Sequence, residues 1–376
     1  MKAILALNSG SSSVKFALYE PHTSEPVLLY RGLLDLHGKD GHFAIKDAAG
    51  KPVQGADSPT VDPQADLATS LLNRVEQLLD GRELVAVGHR IVHGGLKYVA
   101  PVLIDTEIVQ DFDRLTPLAP LHQPACLDLV RSLLASRHKL RQVACFDTAF
   151  HHDLSPIYRR FALPLEYEAK GIRRYGFHGL SFEYIAKQYE QRDLRIVVAH
   201  LGSGSSLCAI RNGRSVNTTM SLTPLDGLMM ATRSGSIDPG VLLYLQQSER
   251  MSAAAIEDLL YHKSGLLGVS GLSADMRTLL ASSDSRAREA VDQFCARVAE
   301  QILVMATSMN GVDVLVFTGG IGEHSQEIRD NVCARLKWIG LSKEGESAST
   351  DHRIAVRAIP TDEEFVIALH TLGVLH

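Results

Sequence analysis

The sequence predicts an α/β protein of two domains built on a duplicated core. Three observations carry that prediction. Apolar strand patterns alternate with helical ones in both halves. The succession strand, small-residue loop, strand, turn, strand occurs twice, about 190 residues apart. The chain of 376 residues is 45% hydrophobic and 22% charged, enough apolar material for two cores and too much for disorder.

The elements follow in order. Residues 3–7 are a short, almost wholly apolar strand, and the loop Asn8–Ser13 follows it. Val14, Phe16 and Leu18 alternate with their neighbours in a second strand, and residues 27–34 supply a third. Asp62-Pro63 reads as an N-cap and first helical proline; Leu67, Leu71, Val75 and Leu78 then keep helical spacing, predicting a helix over 63–80. Strands are expected at 84–92 and 141–146, with a helix near 124–136 between them. The second half repeats the opening. It has a strand at 195–200, the loop Gly202–Ser206, a strand at 207–211, an Asn212-Gly213 hairpin turn and a strand at 214–218. Val291, Phe294, Val298, Ile302, Met305 and Met309 line one face of a helix over 286–309 that Asn310-Gly311 ends. A strand at 312–317 runs into Thr318–Glu323. Thr361 and Glu364 read as a capping box for a last helix over 362–373.

Charge and cysteine content exclude several classes. Lys plus Arg is 38 and Asp plus Glu 43, a net charge of -5 that suits neither a general nucleic-acid binder nor a membrane-surface protein. The apolar run at residues 3–7 is too short for a signal-peptide core or a membrane span, and no run elsewhere reaches spanning length without a charge. The 5 cysteines are scattered, with no CxxC pair, which argues against a zinc cluster or disulfide framework and for a reducing cytosol.

Three loops share one logic. Asn8–Ser13, Gly202–Ser206 and Thr318–Glu323 each follow a strand and are rich in small or hydroxyl residues. Small residues let backbone N–H groups approach an anion, and hydroxyls add donors. Each loop alone is a tight turn; their joint recurrence points to a nucleotide's phosphates. The sequence has no GxxxxGK[ST], no complete GxGxxG, no GxSxG and no HExxH. His89 and His93 stand four apart on an expected strand, too far for easy shared ligation, and His151-His152-Asp153 reads as a solvated loop rather than a metal site. Arg90 beside a double glycine, Asp147 at the end of an apolar strand, His178 between glycines and Arg233 in a small-residue loop can each be a salt bridge or a satisfied polar group. Taken together they match a phosphoryl-transfer site.

Ten ordered blocks then identify a resemblance that runs nearly end to end. They are LNSGSSSVK at 7–15, GHRIVHGG at 88–95, APLHQP at 119–124, FDTAFH at 146–151, RRYGFHG at 173–179, HLGSGSS at 200–206, TRSGSIDP at 232–239, SGLLGVSGLSAD at 264–275, TGGIGE at 318–323 and PTDEE at 360–364. The chain resembles the acetokinase family of the acetate and sugar kinase, heat-shock chaperone and actin superfamily. The resemblance implies two domains with a ribonuclease-H-like, actin-like core, an ATP cleft between them, and a homodimer. It divides the chain into 1–147 completed by the terminal helix 362–376, and 148–361. It implies magnesium-dependent, reversible transfer from ATP to acetate, giving ADP and acetyl phosphate.

By the same resemblance, Asn8 and Glu363 hold magnesium and Lys15 approaches the phosphates. Arg90 binds the acetate carboxylate, and Val92, Leu121, Phe177 and Pro224 wall its methyl group. Asp147, His178 and Arg233 are catalytic. The nucleotide contacts are His200, Leu201, Gly202, Ser203, Gly204, Asp275, Met276, Arg277, Gly320, Ile321, Gly322, Glu323 and His324. The chain departs from the family pattern at Ser203, where the family has Asn, at His324, also an Asn, and at Leu180 and Phe182, where the family has Thr and His.

A carboxylate acceptor is ionised at neutral pH, since carboxyl groups titrate near about 4, so no strong base is required. The difficulty is an anion attacking a polyanion. Arg90 and Arg233 answer it with charge, His178 with a hydrogen bond, and Asp147 as an orienter or ligand to a magnesium-bound water. If residues two apart on a strand share a face, Val92 follows Arg90 toward the acyl tail. A propionate or other short-chain acyl kinase is the nearest alternative. A non-enzymatic actin-like module is the other, although it would not need Arg90, Asp147, His178 and Arg233.

Overall fold

The computed structural model describes residues 1–10, 13–23, 25–35, 42–53, 67–120, 122–190, 192–342 and 353–376. The chain forms two compact units. One comprises Met1–His152 with Asp362–His376, the other Asp153–Thr361.

The first unit holds the strands β1 (Lys2–Ser9), β2 (Ser13–Glu20), β3 (Val27–Asp35), β4 (His42–Asp47), β5 (Glu83–Ile91), β6 (Val102–Leu103) and β7 (Arg141–Phe146). They form one sheet in the order β4-β3-β2-β1-β5-β7-β6. β1 to β4 are antiparallel neighbours, whereas β1, β5 and β7 run parallel. One face buries Leu5, Leu7, Phe16 and Val87 with Leu71 and Val75 of the helix Leu67–Leu78 and Leu129 and Leu133 of the helix Gln123–Ser136. Against β1, β5 and β7 also lies the terminal helix Glu363–Leu375. It comes so close that a methyl on Gly88 would stand 2.1 Å from Thr371 Oγ1 and 2.6 Å from Ile367 Cγ2. Only glycine permits that approach.

The second unit repeats the frame with β8 (Arg195–Leu201), β9 (Ser205–Arg211), β10 (Arg214–Thr218), β11 (Val314–Thr318) and β12 (Ala355–Ala358), in the order β10-β9-β8-β11-β12. β8 to β10 are antiparallel and β8, β11 and β12 parallel. This matches β3-β2-β1-β5-β7 strand for strand, the duplication expected from sequence. The helix Ser285–Thr307 buries Val291, Phe294, Val298 and Ile302 against Val197, Ala199 and Leu315 of the sheet. Asn310 and Gly311 follow it with φ of 58° and 132°. Asn212 and Gly213, at φ 51° and 70°, make the hairpin turn that their sequence predicts.

Several expectations need correction. The last helix is not capped by Thr361 and Glu364. Its N-cap is Asp362, which accepts from Phe365 N at 3.0 Å, while Glu364 is drawn to Asn8 and Thr361 Oγ1 is buried without a hydrogen bond among the described residues. The expected start of the helix at 63–66 lies outside the described residues. β5 ends at Ile91, so strand alternation does not orient Val92. Thr318–Glu323 is not an open loop: a helix starts at Gly319, which has φ 77°. His151 is fully buried, not solvated, although His152 is exposed. β4 and the helix Thr106–Asp113, capped by Asp105, had no place in the sequence reading.

Candidate active site

In the first unit the ends of β1, β2, β5 and β7 and the start of the terminal helix gather one polar cluster. Asn8 Nδ2 donates to Glu363 Oε2 at 2.7 Å and to Glu364 Oε1 at 3.0 Å. Arg90 Nε and Nη2 both donate to Asp147 Oδ2, at 2.9 and 2.5 Å, and Arg90 Nη1 donates to Asn8 Oδ1 at 3.4 Å. Lys15 is exposed on β2, opposite Asn8 in the hairpin register. Asp147 is 1% exposed and Arg90 17%, so the carboxylate is fully buried and the arginine keeps a small accessible fraction. Burial opposes both charges. It pushes the Asp147 carboxyl up against the pull of Arg90, while for Arg90 pairing with Asp147 outweighs burial and holds the guanidinium above its ordinary range. Burial, and then the charge of Glu363, also push the Glu364 carboxyl up. Asp147 Oδ1 is buried and has no hydrogen-bond partner among the described residues.

The second unit presents a different set. His178 caps the helix Gly179–Lys187 at φ 57°, a left-handed conformation costly for a non-glycine residue. Its ring stacks on that of His200, with centroids 4.4 Å apart and planes at 21°. His178 Nδ1 lies 2.8 Å from Ser206 Oγ, and His200 Nδ1 lies 2.8 Å from Ser181 Oγ. A methyl on Gly204 would meet Arg233 Nη2 at 3.1 Å and His178 Nε2 at 3.3 Å. An arginine and an imidazole therefore converge on a bare stretch of backbone. Arg233 Nη1 donates to Pro224 O at 2.7 Å, and its loop is held by Ser264 N to Thr232 O and Leu266 N to Met230 O. Phe182 turns its ring edge-on to His200, with centroids 6.5 Å apart.

A cavity of about 700 Å³ opens beside this cluster, lined by Gly202, Ser203, Asp275, Met276, Arg277, Gly320, Ile321 and His324 among others. Apolar walls with a few polar groups suit a nucleoside. Asp275 caps the short helix Met276–Leu280 and binds the exposed Arg277. Not every expected contact lines this space. Leu201 is fully buried in the core and Gly322 is buried too. The Glu323 carboxylate is bound by backbone, accepting from Gly319 N of its own turn at 3.0 Å and from the distant Thr361 N at 3.2 Å. Of the expected methyl-group wall, Val92 belongs to the first unit and Phe177 to the second, each 1% exposed; Pro224 is tied to Arg233, and Leu121 lies outside the described residues.

The sequence model of the acetokinase family matches residues 3–369. The chain belongs to the acetokinase family. An acetate kinase of Rhodopseudomonas palustris is 46% identical over 98% of this chain and 97% of its own length, and one of Nitrobacter hamburgensis 44% identical over 100% and 96%. Among solved structures, a propionate kinase from Francisella tularensis superposes with a TM-score of 0.86 at 36% identity, covering 98% of this chain and 99% of its own. Acetate kinase of Porphyromonas gingivalis does so with 0.83 at 35%, covering both chains fully at 100%. Family membership makes the chain a phosphotransferase with the two-domain actin-like fold, as expected from its sequence. Sequence reasoning missed Ser181, Ser206 and Glu364 as site residues. Ser206 and Glu364 stood inside quoted blocks, but nothing in a one-dimensional pattern shows that the hydroxyl faces His178 and the carboxylate Asn8.

Proposed function

We propose that this chain transfers a phosphoryl group reversibly between ATP and acetate, giving ADP and acetyl phosphate. Family membership supports the reaction. The structural observation that carries it is the meeting of Arg233 Nη2 and His178 Nε2 at Gly204, beside a nucleoside-sized cavity. Charge spread over the phosphoryl oxygens in the transition state calls for fixed donors of this kind. Arg233 supplies charge and His178 a hydrogen bond. In the first unit, Arg90 would bind the acetate carboxylate while Asp147 fixes its plane. Because Asp147 is buried and committed to Arg90, it serves as an orienter and not as a base.

The first cluster also fits magnesium. Asp147, Glu363 and Glu364 outnumber Arg90 and Lys15, and Asp147 Oδ1 is buried without a partner among the described residues. Among those residues no three His, Cys, Asp or Glu side chains form a metal cage. Magnesium needs none, since it takes one or two carboxylates with waters and substrate phosphates. Asn8 and Glu363 would hold it, and it would neutralise phosphate charge. A homodimer is supported by the helix Pro239–Gln247, which buries none of its residues and leaves Val241, Leu243 and Tyr244 at 43%, 54% and 58% exposure. The five cysteines are all unbridged, which supports a reducing cytosol. Among the described residues no helix is long and apolar enough to cross a membrane.

The Francisella neighbour favours propionate as a second reading. Coupled assay of ADP formation with acetate, with propionate and with neither tests both. Acetate-dependent turnover above that with propionate is expected, and turnover indifferent to any carboxylate refutes the proposal.

A further inference from the structure

Two serines hold the stacked imidazoles of the second unit. Ser206 on β9 and Ser181 on the helix Gly179–Lys187 are both fully buried, and each offers its Oγ to a ring Nδ1 at 2.8 Å. Each ring therefore presents the same nitrogen to a serine. For His178 this turns Nε2 to Gly204, next to Arg233 Nη2. A left-handed backbone at φ 57° does not place that ring by local preference, so tertiary partners must.

The chemistry asks for one tautomer. A neutral imidazole carries a single N–H, and to donate from Nε2 it needs an accepting Nδ1. A serine hydroxyl can rotate to donate to that nitrogen.

We propose that Ser206 is a positioning residue: its hydroxyl donates to His178 Nδ1 and fixes the imidazole as the Nε2–H tautomer turned toward the transferring phosphoryl. Ser181 does the same for the His200 ring on which His178 stacks. The proposal rests on the phosphoryl-transfer reading above.

The test uses the full chain, with acetate-dependent ADP formation by the unaltered protein measured first. Absence of that activity defeats the reading, whereas ¹⁵N-histidine NMR still decides the role of the serine. Ser206→Ala should lower kcat about 10- to 100-fold, the range found when the hydrogen-bond partner that orients a metal-ligating imidazole is lost, with KM for ATP within about twofold. The His178 ¹⁵N signals should change from an Nε2–H pattern to a mixture of tautomers. Ser206→Cys, close in size and a weaker donor, should fall between and serves if the alanine variant does not fold. Unchanged kcat, an unchanged tautomer pattern, or a rise in KM for ATP with kcat intact would each overturn the proposal.

Discussion

The two hairpins that open the repeated sheets occupy the same place in the fold and present opposite surroundings. In the first, β1–β2, a side chain occupies the candidate site: Asn8 is fixed by Glu363 and Glu364 and touched by Arg90 in an acid-rich cluster. In the second, β8–β9, the missing side chain matters: Gly204 leaves room where Arg233 and His178 converge. Duplication preserves strand order and direction because backbone pairing and core packing define them. Loop chemistry is free to diverge, because loops carry function on a scaffold they do not hold together. The pairing of the arginines sharpens the contrast. Arg90 is bound to a buried carboxylate, whereas Arg233 gives Nη1 to a backbone carbonyl, that of Pro224.

That difference should appear first in stability. Arg90→Ala strands the Asp147 carboxylate in a site where it is 1% exposed, and should destabilise the protein by about 3–5 kcal/mol in urea titration. Replacing both partners with Leu should restore much of that loss without restoring activity, because an apolar pair removes the buried charge. If Arg90→Ala alone costs less than about 1 kcal/mol, the pair has no structural role.

Arg233→Ala should show the reverse pattern. Turnover should fall by at least about 10² while ATP binding, read by calorimetry, stays within a few-fold. A fall of less than about tenfold in folded protein would remove Arg233 from the chemistry and break the contrast.

Val92 probes the acceptor side more gently. One methylene in an apolar pocket is worth about 1–3 kcal/mol, so the unaltered enzyme should prefer acetate over propionate by roughly 10-fold or more in kcat/KM. Val92→Ala should narrow or reverse that ratio and leave KM for ATP alone. A lower melting temperature with an unchanged ratio would show that Val92, 1% exposed just beyond the end of β5, is core and not pocket.

The smallest effect concerns Ser203, exposed on the rim of the cavity in the second unit. Ser203→Asn should tighten ATP by about 1 kcal/mol or less, the net worth of one hydrogen bond. Weaker binding would mean that the loop, held by Ala231 N to Ser203 O at 3.2 Å, has adapted to the serine.

The order of strands and helices was legible in the sequence wherever periodicity was strong, as in the helix Ser285–Thr307 or the turn at Asn212 and Gly213. Such signals are local: a side-chain period and a φ preference act within a few residues. The motif blocks likewise determined the family and named Arg90, Asp147, His178 and Arg233. Tertiary structure decided what these residues touch. Glu364 read as a capping residue because Thr361 precedes it by three; in the fold, the terminal helix meets β1, and Asn8 Nδ2 takes that carboxylate while Asp362 caps the helix. The Ser206 hydroxyl and the Gly204 gap gain their meaning only when β9, the His178 turn and the Arg233 loop come together. Hydrogen bonds and ion pairs are set by distances between residues remote in sequence, and a linear pattern holds composition and spacing but not those distances.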